Sequence, residues 1–231
     1  MLFVFYKHGN YYFELSAGLL VLYLLVIIYG SFQIKANYFV NSINKGNIDS
    51  IYFTFDDGPD PDITPKIIEL LEAEQLKAIF FVIGNKVEKY PHIVKDLFDK
   101  GHLIANHTYT HSNKIALFST EELMNDIKKC TVAIEQVTSK TPTFFRPPYG
   151  ITTPRYSRAL KQLGMQSIGW TLRSFDTLAK SKELFVEKIK KQITPGAIIL
   201  FHDTKRITLD ALPEIIRHCK KNGIKIASFP N

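Results

Sequence analysis

Cysteine is scarce in this chain. Cys130 and Cys219 are the two among 231 residues, and both lie in stretches with helical periodicity. A single distant pair is neither a disulfide framework nor a zinc knuckle, so both are expected as buried thiols. Long blocks of charge are absent too. The longest basic runs, Lys188-Ile189-Lys190-Lys191 and Lys220-Lys221, fall in predicted helices and read as solvated faces. A net charge of +7 spread this thinly favours anionic surfaces such as a cell envelope without making a nucleic-acid footprint. Aromatic residues are numerous, but they are not interleaved with basic ones as on a strand-binding platform, so no nucleic-acid partner is expected.

Residues 15–34 lack charge altogether. Twenty residues at ~1.5 Å rise cover a hydrocarbon core of ~30 Å. Tyr11, Tyr12, Tyr23 and Tyr29, with Lys7 and Lys35, flank or punctuate the run as interfacial anchors do. The shorter apolar core and small-residue cleavage site of a signal peptide are not evident. Residues 1–36 are therefore read as an amino-terminal tail with an uncleaved transmembrane anchor, 37–49 as a polar linker, and 50–231 as one domain. Lys7 and Glu14 on one side and Lys35 on the other leave the orientation open.

From residue 50 the chain keeps one rhythm. Strand-like runs at 50–55, 78–82, 103–106, 144–146, 165–169, 197–201 and 224–228 are mostly separated by helical stretches. Thr64-Pro65 and Thr153-Pro154 read as helix starts, and Ser119-Thr120-Glu121-Glu122 is a capping box. Alternation of this kind implies parallel strands with helices outside. An open doubly wound sheet is the alternative to a barrel, but the polar residues favour the barrel. Asp56, Asp57, His107, Arg146, Asp176 and His202 each stand at or past the carboxyl end of a strand, and a (β/α) barrel gathers such positions on one face.

These residues have the makings of a hydrolytic centre. Asp57, His107 and His111 would supply one oxygen and two imidazole nitrogens to a divalent metal, leaving a position for water. Zinc is the default, and cobalt, nickel, iron or manganese suit the same donors. The His-x-x-x-His spacing matches a zinc-protease helix, but Thr108 stands where such a helix carries Glu, so a loop is expected. Asp56, adjacent to Asp57 on a strand and so facing the other way, is free to take a proton from water. Arg146 would hold Asp56 ionised, His202 would protonate a leaving group, and Asp176 would orient His202.

Four blocks, Thr-Phe-Asp-Asp-Gly-Pro (54–59), His-Thr-Tyr-Thr-His (107–111), Arg-Pro-Pro-Tyr-Gly (146–150) and Leu-Phe-His-Asp (200–203), resemble the ordered signatures of the polysaccharide deacetylases, the chitooligosaccharide-deacetylase homology domain of carbohydrate esterase family 4. The resemblance runs from about residue 48 onward. It implies an irregular seven-stranded (β/α) barrel and metal-dependent removal of N- or O-acetyl groups from a glycan. By that likeness Asp56 is the base, Asp57, His107 and His111 hold the metal, Arg146 steadies Asp56, the Tyr149 amide binds the oxyanion, His202 is the acid and Leu200 lines the acetyl pocket. One block departs: where the family often shows Asp-x-x-Asp-Trp, this chain has Arg173-Ser174-Phe175-Asp176-Thr177. Asp176 survives, and Arg173 and Thr177 replace the first acid and the tryptophan. Since every ligand and the base are present, an enzyme is favoured over a sugar-binding relative without turnover. The expectation is a monomer anchored in the membrane, its barrel outside the cytoplasm and an acetylated polysaccharide its substrate. Trp170 is assigned to barrel core, His102 to a turn, and Asp60 and Asp62 to turn formation.

Overall fold

The computed structural model describes residues 2–229, with side chains from residue 11 onward. The anchoring role given to Lys7 lies outside the described side chains. A first helix, α1 (Leu2–Phe32), precedes nine strands: β1 (Ser42–Ile43), β2 (Ser50–Gly58), β3 (Ile79–Val82), β4 (Leu103–Asn106), β5 (Phe144–Phe145), β6 (Gln166–Ile168), β7 (Leu172–Arg173), β8 (Ile198–His202) and β9 (Lys225–Ile226). Between them run α2 (Thr64–Ala73), α3 (Gly84–Lys89), α4 (Pro91–Asp99), α5 (Thr120–Thr138), α6 (Pro154–Leu163), α7 (Lys182–Gln192) and α8 (Arg206–Lys221).

Strands pair in the order β1-β6-β5-β4-β3-β2-β8-β7, every pair parallel, and β9 joins the start of β2. β2 sits at the centre for a sequence reason. Its β-branched and aromatic side chains alternate between two apolar environments, as a strand covered on both faces requires. Ile51, Phe53 and Phe55 pack outward beneath the helices, while Tyr52 joins Ile79, Phe81, Ala105, Ile168 and Ile198 inside the sheet's curve. Thr54 and Asp56 continue that inner face toward the carboxyl end. Each fully buried aromatic contributes roughly 2–3 kcal/mol of burial free energy.

The nine strands revise the expected seven. The two extra ones hold two residues each, too few to show any alternation. β1 lies inside the stretch read as a linker. Its pairing is set by its partner: Ser42 Oγ meets Ser167 Oγ at 2.7 Å, and Gly169 N–H donates to the Ile43 carbonyl at 2.9 Å. Beyond it, Lys45 bridges antiparallel to Ala197, just before β8. Residues 42–45 thus fill the gap between β6 and β8 and form part of the barrel wall.

The capping box is as expected, Ser119 Oγ accepting Glu122 N–H at 3.2 Å and Glu122 Oε2 accepting Ser119 N–H at 2.7 Å. Asp60 Oδ1 accepts the amides of Asp62 and Ile63, an Asx turn. Thr64-Pro65 and Thr153-Pro154 do open α2 and α6, but neither helix has a side-chain cap bond, and the Thr64 hydroxyl serves Asp60 and Asp203 instead. Both cysteines are free and buried.

Within α1, Tyr11–Phe32 forms a 22-residue helix long and apolar enough to cross a membrane, and 6% of its most apolar stretch is buried. A core helix would be covered. Its carboxyl end is docked, with Thr152 N–H donating to the Ser31 carbonyl at 2.9 Å and the Tyr38 ring lying against Gly30.

Candidate active site

β2 ends in a bulge. It pairs Thr54, Phe55 and Asp56 with Ile79, Phe80 and Phe81, then Gly58 with Val82, so Asp57 is the extra residue. Asp57 adopts φ 72°, a left-handed conformation that acidic residues tolerate better than most. The expectation that Asp56 and Asp57 face opposite ways fails here, because a bulge re-aims the side chain it carries. Asp56 Oδ2 and Asp57 Oδ1 lie 3.9 and 3.4 Å from one atom, His107 Nε2.

His107 and His111 stand in the loop after β4, as the missing Glu implied. Asn106 sets the loop: its amide donates to the Ile127 carbonyl and its Oδ1 accepts Thr108 N–H at 2.8 Å. Thr108 and His111 have φ of 69° and 46°. With Asp57, Tyr149 (60°) and Phe175 (59°), five non-glycine residues around this site take left-handed backbone. Such strain persists where surrounding contacts over-determine it. His107 Nδ1 lies 2.8 Å from the Arg146 carbonyl, which can only accept. The ring proton is therefore on Nδ1 and Nε2 presents its lone pair to the site.

Three donors converge: Asp57 Oδ1 is 3.4 Å from His107 Nε2 and 3.2 Å from His111 Nε2. Two ligand atoms ~2.0–2.1 Å from a tetrahedral zinc lie roughly 3.4 Å apart, so the spacing fits such an ion. Protonation fits as well. Burial opposes ionised Asp57, but the imidazoles of His107, His111 and His202 facing it outweigh that cost and hold the carboxyl well below its usual range. Burial, with His107 beside it, pulls His111 down to about 4, leaving it neutral and able to ligate.

Arg146 is buried inside the barrel, stacked 4.0 Å from the Phe81 ring centre. Nη1 donates to Asp56 Oδ1 at 2.6 Å and to Thr54 Oγ1 at 2.9 Å, Nε to the Ile168 carbonyl at 3.1 Å and Nη2 to the Gly169 carbonyl at 2.7 Å. Asp56 is thereby a buried carboxylate with its own cation. On the opposite wall, His202 Nδ1 meets Asp176 Oδ1 at 2.7 Å, and its Nε2 lies 3.8 Å from Asp57 Oδ2. Asp176 also accepts from His202 N–H, Thr208 Oγ1 and Thr177 N–H. Burial works against charge on both partners, yet their pairing raises the pKa of His202 and lowers that of Asp176.

Asp56, Asp57, His107, His111, Tyr149, Leu200 and His202 line one cavity of about 200 Å³. Every residue singled out from sequence is thus in its wall or, like Arg146 and Asp176, directly bonded to a wall residue. The turn at Tyr149 uses Gly150 N–H to Pro147 and Ile151 N–H to Pro148, leaving the Tyr149 amide outside the turn's own bonds among the described residues.

The chain belongs to the polysaccharide deacetylase family. The family model "Polysaccharide deacetylase" matches residues 43–168. A peptidoglycan-N-acetylglucosamine deacetylase of Bacillus cereus is 33% identical over 78% of this chain and 67% of its own length. The PgdA deacetylases of Listeria monocytogenes are 31% identical, and the chain spans 38% of their length. Among solved structures, the Bc1960 peptidoglycan N-acetylglucosamine deacetylase superposes with TM-score 0.78 at 31% identity, covering 82% of this chain and 91% of that one. A CE4-family pseudoenzyme from Bacillus anthracis fits nearly as well, with TM-score 0.77 at 26% identity over 82% and 67%. Fold likeness alone therefore does not carry turnover, and the residues in the cavity must.

Sequence reasoning gave no role to several residues in and around the cavity. Trp170, assigned to core, lines the cavity with its ring against Gly150 and packs with Ile34 and Leu200. Its place at a strand end was the available signal. Thr54, two residues before Asp56 on the same strand face, shares Arg146 with it. Arg173 and Thr177, noted only as departures, form the cavity rim. Asp203 was passed over although it follows His202: it is fully buried, accepts Thr64 Oγ1 at 2.7 Å, and burial lifts its pKa to about 7. His102, expected in a turn, is buried under Phe80 with Nδ1 accepting Ala78 N–H, and burial lowers it to about 4. It lines a larger cavity of about 710 Å³ at the amino ends of β3 and β4, far from the carboxylates.

Proposed function

We propose that this protein is a metal-dependent deacetylase that hydrolyses N-acetyl groups of an acetylated glycan and releases acetate. The observation that carries the reading is the convergence, in one small cavity, of a metal-fitting triad, an Arg-held carboxylate and an Asp-held histidine. Zinc at Asp57, His107 and His111 would supply Lewis-acid charge at the acetyl carbonyl and acidify a water. Asp56, held by its ion pair with Arg146, accepts the proton of the attacking water. The free Tyr149 amide, on its left-handed turn, donates to the developing oxyanion. His202, protonated and aimed by Asp176, gives its proton to the departing sugar nitrogen. Leu200 and Trp170 enclose the acetyl methyl. The amide C–N bond breaks, the water oxygen joins the acetyl carbon, and the products are acetate and a free amine.

The membrane is part of the reading. Tyr11–Phe32 acts as a single-pass anchor with the barrel outside the cytoplasm, consistent with a cell-envelope substrate. Acetate release from N-acetylglucosamine oligomers and peptidoglycan fragments, with and without chelator and zinc, tests the activity. Asp56→Asn should retain zinc and lose about 10²–10⁴-fold in kcat, the range for removing a general base. Undiminished turnover in that variant, or none in the zinc-loaded native protein, counts against the assignment.

A further inference from the structure

The catalytic cavity adjoins a second, and the second adjoins a third. Trp170 and Arg173 line both the catalytic cavity and the second, of about 510 Å³, whose far side is formed by Phe32, Ile34 and Lys35. Phe175 lines the second and a third, of about 340 Å³, flanked by Leu178 and Leu184. The three differ in character. The second contains Lys35 and Arg173 and no acid among its lining residues. Arg173 lies 5.7 Å from the Trp170 ring centre and 5.1 Å from that of Phe175. It forms no ion pair among the described residues, so its N–H fork is available to an anion. The third is apolar and open: Leu178 and Leu184 are 73% and 75% exposed, beside Phe175 at 42%.

What these chambers meet is fixed by α1. The residue two past its end, Ile34, packs directly on Trp170 and Leu200, the walls of the acetyl pocket. The helix end is also hydrogen-bonded to Thr152, three residues past Tyr149. One layer of side chains separates the end of the apolar helix from the catalytic cavity. With α1 across a bilayer, the second cavity, lined by Phe32, Ile34 and Lys35 at the helix end, would lie at the headgroup layer. Exposed apolar side chains beside Lys35, Arg173 and Lys188 suit that layer.

We infer that the substrate is an acetylated sugar carried on a membrane lipid through a phosphate. The sugar enters the catalytic cavity, the phosphate lies between Arg173 and Lys35, and the hydrocarbon runs over Phe175, Leu178 and Leu184. This rests on the deacetylase reading and narrows it. The chemistry at the amide is unchanged; the added recognition is of an anion and a chain.

The test uses the full chain in phosphatidylcholine vesicles, loaded with zinc. Four probes separate the sources of recognition: N-acetylglucosaminyl phosphate on a long-chain polyprenol, the methyl ester of the same sugar phosphate, an uncharged alkyl N-acetylglucosaminide, and an N-acetylglucosamine tetramer. The expected result is a kcat/KM at least tenfold higher on the polyprenyl phosphate than on any other. Arg173→Gln and Lys35→Gln should each reduce that preference by about tenfold, the worth of one charge-assisted contact. Zinc content at the native level shows that a variant has kept its fold. Equal rates on the tetramer overturn the inference and leave the deacetylase reading intact. Equal rates on the methyl phosphate overturn the membrane source. Acetate from none of the four overturns both.

Discussion

Asp56 depends on Arg146 more than on any other residue. A carboxylate sealed in a barrel needs a cation, and removing one member of a buried pair costs about 3–5 kcal/mol because the other is left charged and alone. Arg146→Met should therefore lower the unfolding free energy by about that amount in denaturant titration. The double variant Arg146→Met, Asp56→Asn should recover part of the loss, since no charge is then stranded. If the double variant is destabilised by the full sum of the single ones, the pair is not coupled as described. His202 gives a prediction in pH. Burial would lower its pKa, Asp176 outweighs burial, and the net shift is upward. In the mechanism proposed above His202 acts as the acid, so the rate should fall as pH rises through this raised pKa. Asp176→Asn removes the raising partner and should move the alkaline limb of kcat/KM to lower pH. A limb that stays in place would separate the titration from His202.

At the scale of elements, the end of β2 is held by a group that has no catalytic part. Asp203, following β8, bonds Thr64 at the start of α2 and lies so close to Gly58 that a Cβ there would sit 2.0 Å from its carboxyl. Its ordinary value of 3.8 rises to about 7 through burial. Below 3.8 it is protonated whether folded or unfolded; between there and about 7 only the folded state keeps the proton. Stability from this group is therefore lost as pH rises through that window. In chelator-treated protein, Asp203→Asn should gain on the native chain between pH 4 and pH 7 by on the order of 2–4 kcal/mol. A pH-independent difference between the two would contradict the assignment.

These elements also show where sequence was readable. Long apolar runs such as that of β2 and the capped helix α5 carry period and punctuation, so their positions follow from residues alone. β1 and β7 carry neither; their two-residue ladders exist because β6 and β8 offer unpaired edges. The site was legible through Asp56, Asp57, His107, Arg146 and His202 because strand ends in a barrel converge. The bulge at Asp57 was not, since a left-handed φ at an aspartate leaves no trace in a pattern of apolar residues. Trp170 and Thr54 were hidden for another reason. Their roles come from what they touch across the barrel, Gly150 and Arg146, and not from their neighbours in the chain.

For the whole molecule, the apolar helix α1 and the barrel are joined through Ser31, Ile34 and Thr152. The protein purified from membranes should keep residues 11–32 in its intact mass and resist extraction at alkaline pH. A mature chain beginning after residue 32 would make that helix a cleaved signal. The central claim is narrower, that Asp57, His107 and His111 hold the one metal on which acetate release depends. Zinc titrated back into chelator-treated protein, with acetate recorded at each step, tests it most directly. Activity should be absent without metal, rise in proportion to zinc, and level off at one equivalent, with no recovery in Asp57→Ala. Acetate release from metal-free protein, or full recovery in Asp57→Ala, would contradict the claim.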